Sequence, residues 1–113
     1  MPDEIDEFLA AFHTKLNIWG VVFRDDRGKN TQALLDLEIT PDQRKKILGT
    51  ITRADFSEGP LEDTLHRMQD MWVFGKTIKS KEIYIKITLG FPGTETICIS
   101  FHVSEHTMTF PNK

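Results

Sequence analysis

Apolar side chains in the first part of the chain recur at helical spacing. Between residues 3 and 17 they fall three or four positions apart, which is the spacing of one helix face. They are Ile5, Phe8, Leu9, Phe12 and Leu16. Acidic residues stand early in the same segment, where the helix dipole stabilises negative charge. The pattern predicts a helix over about residues 3–17, and Gly20 breaks it.

Shorter elements are predicted next. Residues 21–23 are apolar and form either a short strand or an extended link. Asn30 belongs to a residue type that caps helices, so we expect it to start a short helix that ends at about residue 37. The segment Thr40-Pro41-Asp42-Gln43 combines a capping-box spacing with proline at the first helical position. It predicts another helix, which ends at about residue 49.

The second half of the chain changes to strand periodicity. After an irregular segment, residues 71–74 predict a strand and residues 79–81 a turn. Residues 83–89 and 97–103 alternate apolar and polar side chains, as half-buried strands do, around a turn at residues 90–93. Helices followed by strands predict a single α+β domain over residues 1–113. Its N-terminal helices should pack on one face of a C-terminal antiparallel β-sheet.

The polar side chains of the last two strands should share the other face of that sheet. Apolar residues must oppose apolar residues, because a slip of one position inverts every side chain. The resulting pairs are Thr88 with Cys98, Lys86 with Ser100, and Tyr84 with His102. Neighbours on one face lie about 5 Å apart across strands. The last two pairs are therefore expected to form one compact polar patch.

That patch has the groups that RNA cleavage without a metal requires. The substrate's own 2′-OH attacks the adjacent phosphate, while a base, an acid and a cation assist. Histidine as a residue type can act as acid or base near neutral pH, so His102 suits either role. Lys86 would stabilise the phosphorane, and Tyr84 would hold the phosphate. The alternative is an ordinary exposed strand face, on which the histidine only makes local hydrogen bonds.

Other residues offer weaker candidates, each with a structural alternative. His106 would be a second acid or base if the tail curls back, and otherwise a solvated tail residue. Trp72 would stack on RNA bases or belong to the core. Lys76, Lys79, Lys81 and Ser100 would contact the RNA, or the lysines are simply solvated edge charges.

Metal and thiol chemistry are not expected. His13 and His66 do not extend a His102/His106 pair to a metal-ligand spacing, so we expect no metal site and no cofactor. The single cysteine, Cys98, excludes a disulfide within the chain. It is more typical of a small buried packing residue than of a nucleophile.

Composition narrows the class of protein. The formal net charge is −3, which argues against indiscriminate binding to nucleic acid. Charge is uneven, since residues 1–63 hold eight Lys or Arg and thirteen Asp or Glu, a net of −5. Residues 64–113 hold six and four, a net of +2. No apolar run is long enough to cross a membrane. We therefore expect a cytoplasmic protein that does not bind membranes.

Several short segments resemble the MqsR-type toxins, small ribonucleases of bacterial toxin–antitoxin pairs with a RelE-like fold. They are Asp55-Phe56, the aromatic strand at Trp72, residues 82–87 and Ile99-Ser100-Phe101-His102. Residues 16–20 and 34–39 also look like the opening segments of that family. The resemblance implies metal-independent mRNA cleavage and neutralisation by a cognate antitoxin that itself binds DNA. Whether the ribosome is a further partner is left open.

The family's site residues carry over in part. Its strand tyrosine matches Tyr84, and its next lysine matches Lys86. Its basic residue on the final strand falls on His102, where histidine replaces lysine. This sequence departs from the family at two positions. Where the family has a lysine, this chain has Ser57 or Glu58, and where the family has a glutamine, it has Val73. The rival interpretation is a non-catalytic protein-binding module that uses the same exposed sheet face.

Overall fold

The computed structural model describes residues 3–25, 28–62 and 69–113 and has an α+β architecture. Three helices precede most of the sheet: α1 (Glu4–Trp19), α2 (Lys29–Leu37) and α3 (Pro41–Leu48). The strands are β1 (Val21–Phe23), β2 (Phe56–Leu61), β3 (Met71–Ile78), β4 (Lys81–Thr88) and β5 (Thr96–Val103). A short 3₁₀ turn, Arg53–Asp55, leads into β2. None of the helices in these described ranges is long and apolar enough to cross a lipid bilayer.

The helix ends follow local chemistry. The Asp3 carboxylate accepts hydrogen bonds from the amides of Ile5 and Asp6 and so caps α1. Gly20 ends the same helix with a φ of 84°, a left-handed value that favours glycine. Thr40 begins α3 with the predicted capping box. The prediction that Asn30 caps α2 was wrong, because Gly28 is the N-cap and Asn30 lies inside the helix.

The sheet is mixed, with strand order β1-β5-β4-β3-β2. Three of its pairings are antiparallel, but β1 runs parallel to β5. The expectation of a purely antiparallel sheet was therefore wrong. The chain leaves α1 at Gly20 and immediately forms an edge strand, whose partner comes from the far end of the sequence. Residues 56–61, predicted to be irregular, form the edge strand β2.

The three helices contribute to a core on one face of the sheet. Phe8 of α1 stacks on Trp72 and Phe74 of β3, with ring centroids 5.0 and 6.0 Å apart. Ala33, Leu37 and Leu48 complete the contribution of α2 and α3 to the buried cluster. Burial of these large apolar side chains is the dominant stabilising contribution. The predicted placement of helices against one sheet face is confirmed.

A bulge in β5 alters the predicted register of the last hairpin. Tyr84 opposes His102 and Lys86 opposes Ser100, as predicted, but Cys98 opposes Ile87. The extra residue, Ile99, turns Cys98 toward the core instead of toward the polar face. The predicted pairing of Cys98 with Thr88 was therefore wrong. Cys98 is fully buried, and this burial raises the pKa of its thiol far above the ordinary value.

Candidate functional site

The face of the sheet opposite the core carries two rows of paired residues. One row runs across four strands as Glu58, Val73, Lys86 and Ser100. The second row runs as Gly75, Tyr84 and His102. Members of a row lie about 5 Å from their neighbours, because that is the strand spacing. This surface, called the site face below, contains the predicted polar patch.

A cavity of about 420 Å³ lies over the site face. Its wall includes every residue predicted for the acid–base and phosphate roles: Tyr84, Lys86, His102, His106 and also Ser100. The rest of its wall consists of Lys29, Ser57, Glu58, Ser104, Glu105, Thr107, Met108 and Thr109. Of these, the sequence interpretation names only Ser57 and Glu58, as the position of the family's lysine. Cavities of this size accommodate small ligands or a segment of a larger one.

His102 is oriented by two contacts. Its ring stacks on that of Tyr84, with centroids 5.4 Å apart and an angle of 16° between the planes. Its Nδ1 lies 3.0 Å from the carbonyl oxygen of Val103. Because a carbonyl oxygen only accepts, Nδ1 carries the hydrogen and donates it. In the neutral ring Nε2 is then the proton-accepting nitrogen, as a general base requires.

Tyr84 is a half-buried phenol in the same row. Burial raises the pKa of Tyr84, and the neighbouring Glu58 carboxylate raises it further. The side chain therefore keeps its proton at neutral pH. A neutral phenol can donate one hydrogen bond, and an anionic oxygen is a suitable acceptor for it.

Lys86 provides the positive charge at the centre of the site face. It is half-buried between Val73 and Ser100. Across the three described ranges, no carboxylate or carbonyl lies within bonding distance of its ammonium group. A half-buried ammonium without a carboxylate partner is well suited to bind an anionic ligand.

The C-terminal tail, residues 104–113, folds back over the site face and forms part of the cavity wall. The Met108 amide donates to Glu82 Oε1 at 2.9 Å. The Glu105 carboxylate pairs with Lys29 of α2 at 2.5 Å, and this hydrogen bond lowers the pKa of Glu105. His102 and His106 lower the same pKa to a smaller extent. The tail thus brings His106 to the cavity, as the hypothesis of a second acid–base group required.

The two departures from the family pattern both fall at the site. Ser57 and Glu58 line the cavity, so a carboxylate stands close to where the resemblance has a lysine. Val73 is fully buried within its row, between Glu58 and Lys86. Of the matched basic residues, Lys86 and His102 remain, and Lys29, which pairs with Glu105, adds a basic residue that the family pattern does not predict.

Four residues predicted to contact RNA do not line this cavity. Trp72 lies on the core face, with its ring packed against Phe8 and Phe56. Lys76 lies on that same face, 2.8 Å from Asp55 and 3.0 Å from the carbonyl oxygen of Thr50. Both side chains therefore lie on the face opposite the predicted patch, and Trp72 adopts its structural alternative, a place in the core.

The other two lysines form hydrogen bonds at the C-terminal end of α2. Lys79 and Lys81 donate to the carbonyl oxygens of Glu38 and Asp36, each at 3.3 Å. Cationic side chains stabilise these carbonyls at a helix C-terminus. The polypeptide turns at Lys79 and Ser80, both with positive φ, and this turn directs the lysines toward the helix side.

The remaining histidines do not extend the site. His13 Nε2 donates to the carbonyl oxygen of Ile51 at 2.7 Å. His66 lies outside the described residues. In the part of the chain that the structure describes, no three His, Cys, Asp or Glu side chains are grouped as metal ligands.

Comparisons with known proteins return no relative. No protein-family model matches the chain, and no curated protein or solved structure matches it. The resemblance to MqsR-type toxins therefore stays a prediction that rests on the short segments named above.

Proposed function

We propose that the chain is an endoribonuclease toxin of a type II toxin–antitoxin system, with a RelE/MqsR-like fold. The observation that carries the proposal is the placement of Lys86. Its ammonium has no ion-pair partner in the described residues and lies in one cavity with the stacked Tyr84–His102 pair. A fixed cation, a neutral phenol and an imidazole with an accepting Nε2 match the needs of phosphodiester cleavage.

The proposed reaction starts at the ribose next to the scissile phosphate. His102 Nε2 takes the proton of the 2′-OH, and the 2′ oxygen forms a bond to phosphorus. The bond from phosphorus to the 5′ oxygen then breaks, and protonated His106 supplies the proton that this leaving oxygen needs. The products are a 2′,3′-cyclic phosphate and a 5′-hydroxyl. No oxidant, cofactor or protein nucleophile takes part.

Lys86 and Tyr84 act on the non-bridging phosphate oxygens. The ammonium offsets the charge that accumulates as the phosphorane forms, and the phenol donates a hydrogen bond to it. Each interaction is stronger in the transition state than in the ground state, because the charge on these oxygens grows. Ser100, in the same row as Lys86, is positioned to donate to the phosphate or ribose.

The proposed substrate is single-stranded mRNA, and the proposed partner is an antitoxin that covers the site face. A duplex cannot readily present its 2′-OH and phosphate in line inside a cavity, whereas a single strand can adopt that geometry. An antitoxin that occupies the cavity would exclude RNA directly.

Incubation of a long single-stranded RNA with the purified protein in EDTA tests the reaction. The proposal predicts discrete fragments from the parent protein and intact RNA with His102→Ala. The control is His13→Ala, because His13 lies away from the cavity and should not affect cleavage. Intact RNA in every lane, with translating ribosomes as well as without, would reject the nuclease and favour the protein-binding module.

Expression in bacteria tests the biological role. The parent protein should arrest growth when it is expressed without an antitoxin, and His102→Ala should relieve the arrest at equal protein levels. Equal arrest by the two proteins would show that toxicity does not depend on this site.

A further inference from the structure

Gly75 occupies a position in β3 where glycine is otherwise unfavourable. It is buried, lies opposite Tyr84 and belongs to the site face. Its φ lies outside the left-handed region, so backbone conformation does not require glycine there. Glycine inside a strand commonly marks the close approach of another segment.

The segment that approaches Gly75 is the C-terminal tail. A Cβ added at Gly75 would lie 2.7 Å from Cε1 and Cζ of Phe110 and 3.0 Å from Sδ of Met108. Contacts under 3.0 Å are essentially never seen for real Cβ atoms, so the Phe110 ring would have to shift if position 75 gained one. The Phe110 ring therefore rests directly on the strand, in space that only glycine leaves open.

Two further contacts hold the same tail. The Met108 amide donates to Glu82, and the Glu105 carboxylate pairs with Lys29. His106 lies between these two attachments and lines the cavity. Its place in the cavity thus depends on how the tail lies on the sheet.

We infer that Gly75 is a positioning residue, whose missing side chain seats Phe110 and thereby holds His106 in the cavity. The seating of the tail rests on geometry alone, whereas the consequence for cleavage rests on the proposed function.

Hydrogen exchange at the Met108 amide measures the seating without reference to activity. Gly75→Ala should displace Phe110 and speed exchange of this amide by roughly tenfold or more, because its bond to Glu82 is lost. The amide of Ile85, inside the sheet, is the control and should exchange at the parental rate. Parental protection of Met108 in Gly75→Ala would overturn the inference, whether or not the protein cleaves RNA.

A compensating variant separates lost space from other effects of the alanine. Leucine at position 110 lacks the Cε1 and Cζ atoms that alanine at position 75 would meet. Gly75→Ala combined with Phe110→Leu should therefore regain protection at Met108 and regain cleavage. Failure of this pair to recover either property would contradict the steric basis of the inference.

Cleavage kinetics then test the positioning role. Gly75→Ala should lower the single-turnover rate by about 10²-fold, the effect of misplacing a proton-transfer group. In the background of His106→Ala it should cause no further loss, because the group that it displaces is already absent. Additive losses, or parental cleavage with an unprotected Met108, would overturn the positioning role. If the parent protein does not cleave RNA at all, while the Met108 amide exchanges faster in Gly75→Ala as predicted, the proposed function is rejected and the seating of the tail is supported.

Discussion

At the scale of single residues, the central feature is the stacked pair Tyr84 and His102, whose contacts define the orientation and protonation of each side chain. Their stacked rings restrict rotation of the imidazole, while the Val103 carbonyl selects its tautomer. Burial raises the pKa of Tyr84, and the Glu58 carboxylate raises it further, so the phenol stays protonated. The pair therefore presents one acceptor, Nε2, and one donor, the phenol, to the cavity. This division of roles follows from contacts within the pair and with the Val103 carbonyl and Glu58.

Substitution of Lys86 tests the electrostatic role. Lys86→Met should lower the cleavage rate by about 10²–10³-fold, the usual cost of removing one group that stabilises transition-state charge. Lys86→Arg should keep much of the rate, because it keeps the charge. The matched control is Lys81→Met on the same strand, since Lys81 contacts α2 and not the cavity. Equal losses in the two methionine variants, measured by single-turnover cleavage, would contradict the assignment.

The raised pKa of Tyr84 predicts how the phenol enters the pH dependence. Because its pKa lies above the ordinary value of 10.0, the phenol stays protonated from about pH 5 to about 9. Tyr84→Phe should lower the cleavage rate by about tenfold at every pH in that range, as loss of a hydrogen bond to a charged group would. The shape of the pH–rate profile should not change. Disappearance of one limb of the profile would show that Tyr84 itself transfers a proton.

Cys98 provides a chemical test of the bulge in β5. Its full burial and raised thiol pKa predict no reaction with a thiol reagent in the native protein at neutral pH. The matched variant Ser100→Cys places a thiol on the site face two residues away and should react with one equivalent of the reagent. Rapid modification of the parent protein without denaturant would show that Cys98 is exposed. The register predicted from the sequence, with Cys98 opposite Thr88, would then be correct.

At the scale of elements, the alternation of β4 and β5 predicted most of the site. The pattern correctly opposed Tyr84 to His102 and Lys86 to Ser100, because both pairs lie beyond the bulge. It failed at Cys98, since one inserted residue inverts every side chain before it. The side-chain pattern of Ile97, Cys98 and Ile99 is compatible with a regular strand and with a bulged one. Register there depends on partners from other elements.

One such partner is Asn30, which continues the pairing of β5 where the short strand β1 ends. Its Oδ1 accepts from the amide of Phe101 at 2.8 Å. Its Nδ2 donates to the carbonyl oxygens of Ile99 at 3.1 Å and Arg24 at 2.7 Å. A buried side-chain amide thus bonds backbone groups of the bulge residue Ile99 and of Phe101, two residues later. This role was not predicted, because asparagine is a common helix N-cap and Asn30 was assigned to that position.

Asn30→Leu should therefore destabilise the protein strongly. The apolar side chain leaves the backbone partners of Asn30 unsatisfied, at a cost of about 3 kcal/mol in the free energy of unfolding. Asn17→Leu on the exposed side of α1 is the matched control and should change this free energy by less than about 0.5 kcal/mol. Urea denaturation of both variants provides the comparison. Similar small changes in both would show that the Asn30 bonds contribute little.

At the scale of the whole molecule, the cavity joins groups that are distant in sequence. Lys29 and Glu105 are 76 positions apart, and the sequence offers no pattern that links them. The tail lacks strand or helix periodicity, so its path over Gly75 could not be predicted. Lys79 and Lys81 of the β3–β4 hairpin donate to carbonyl oxygens at the end of α2, which the sequence pattern did not predict. Their contact with RNA stays a prediction.

The charge distribution of the molecule predicts a weak salt dependence of RNA binding. The net charge is −3, and the described wall of the cavity has two lysines and two histidines, so we expect only two or three phosphates to be neutralised. For a single strand, log K should then fall with log salt concentration at a slope of about −1.4 to −2.1. Fluorescence anisotropy with a 2′-deoxy oligonucleotide, which cannot react, measures this slope. A slope steeper than about −4 would require a basic surface beyond the cavity.

The chemical ends of the RNA fragments test the central claim most directly. Attack by the 2′-OH must leave a 2′,3′-cyclic phosphate on one fragment and a 5′-hydroxyl on the other. Mass spectrometry of fragments formed by the parent protein in EDTA, from an RNA with a defined cleavage site, identifies both ends. The account predicts these ends, and no cleavage when a single 2′-deoxynucleotide replaces the reacting one. Fragments with a 5′-phosphate, or cleavage next to the deoxynucleotide, would contradict it.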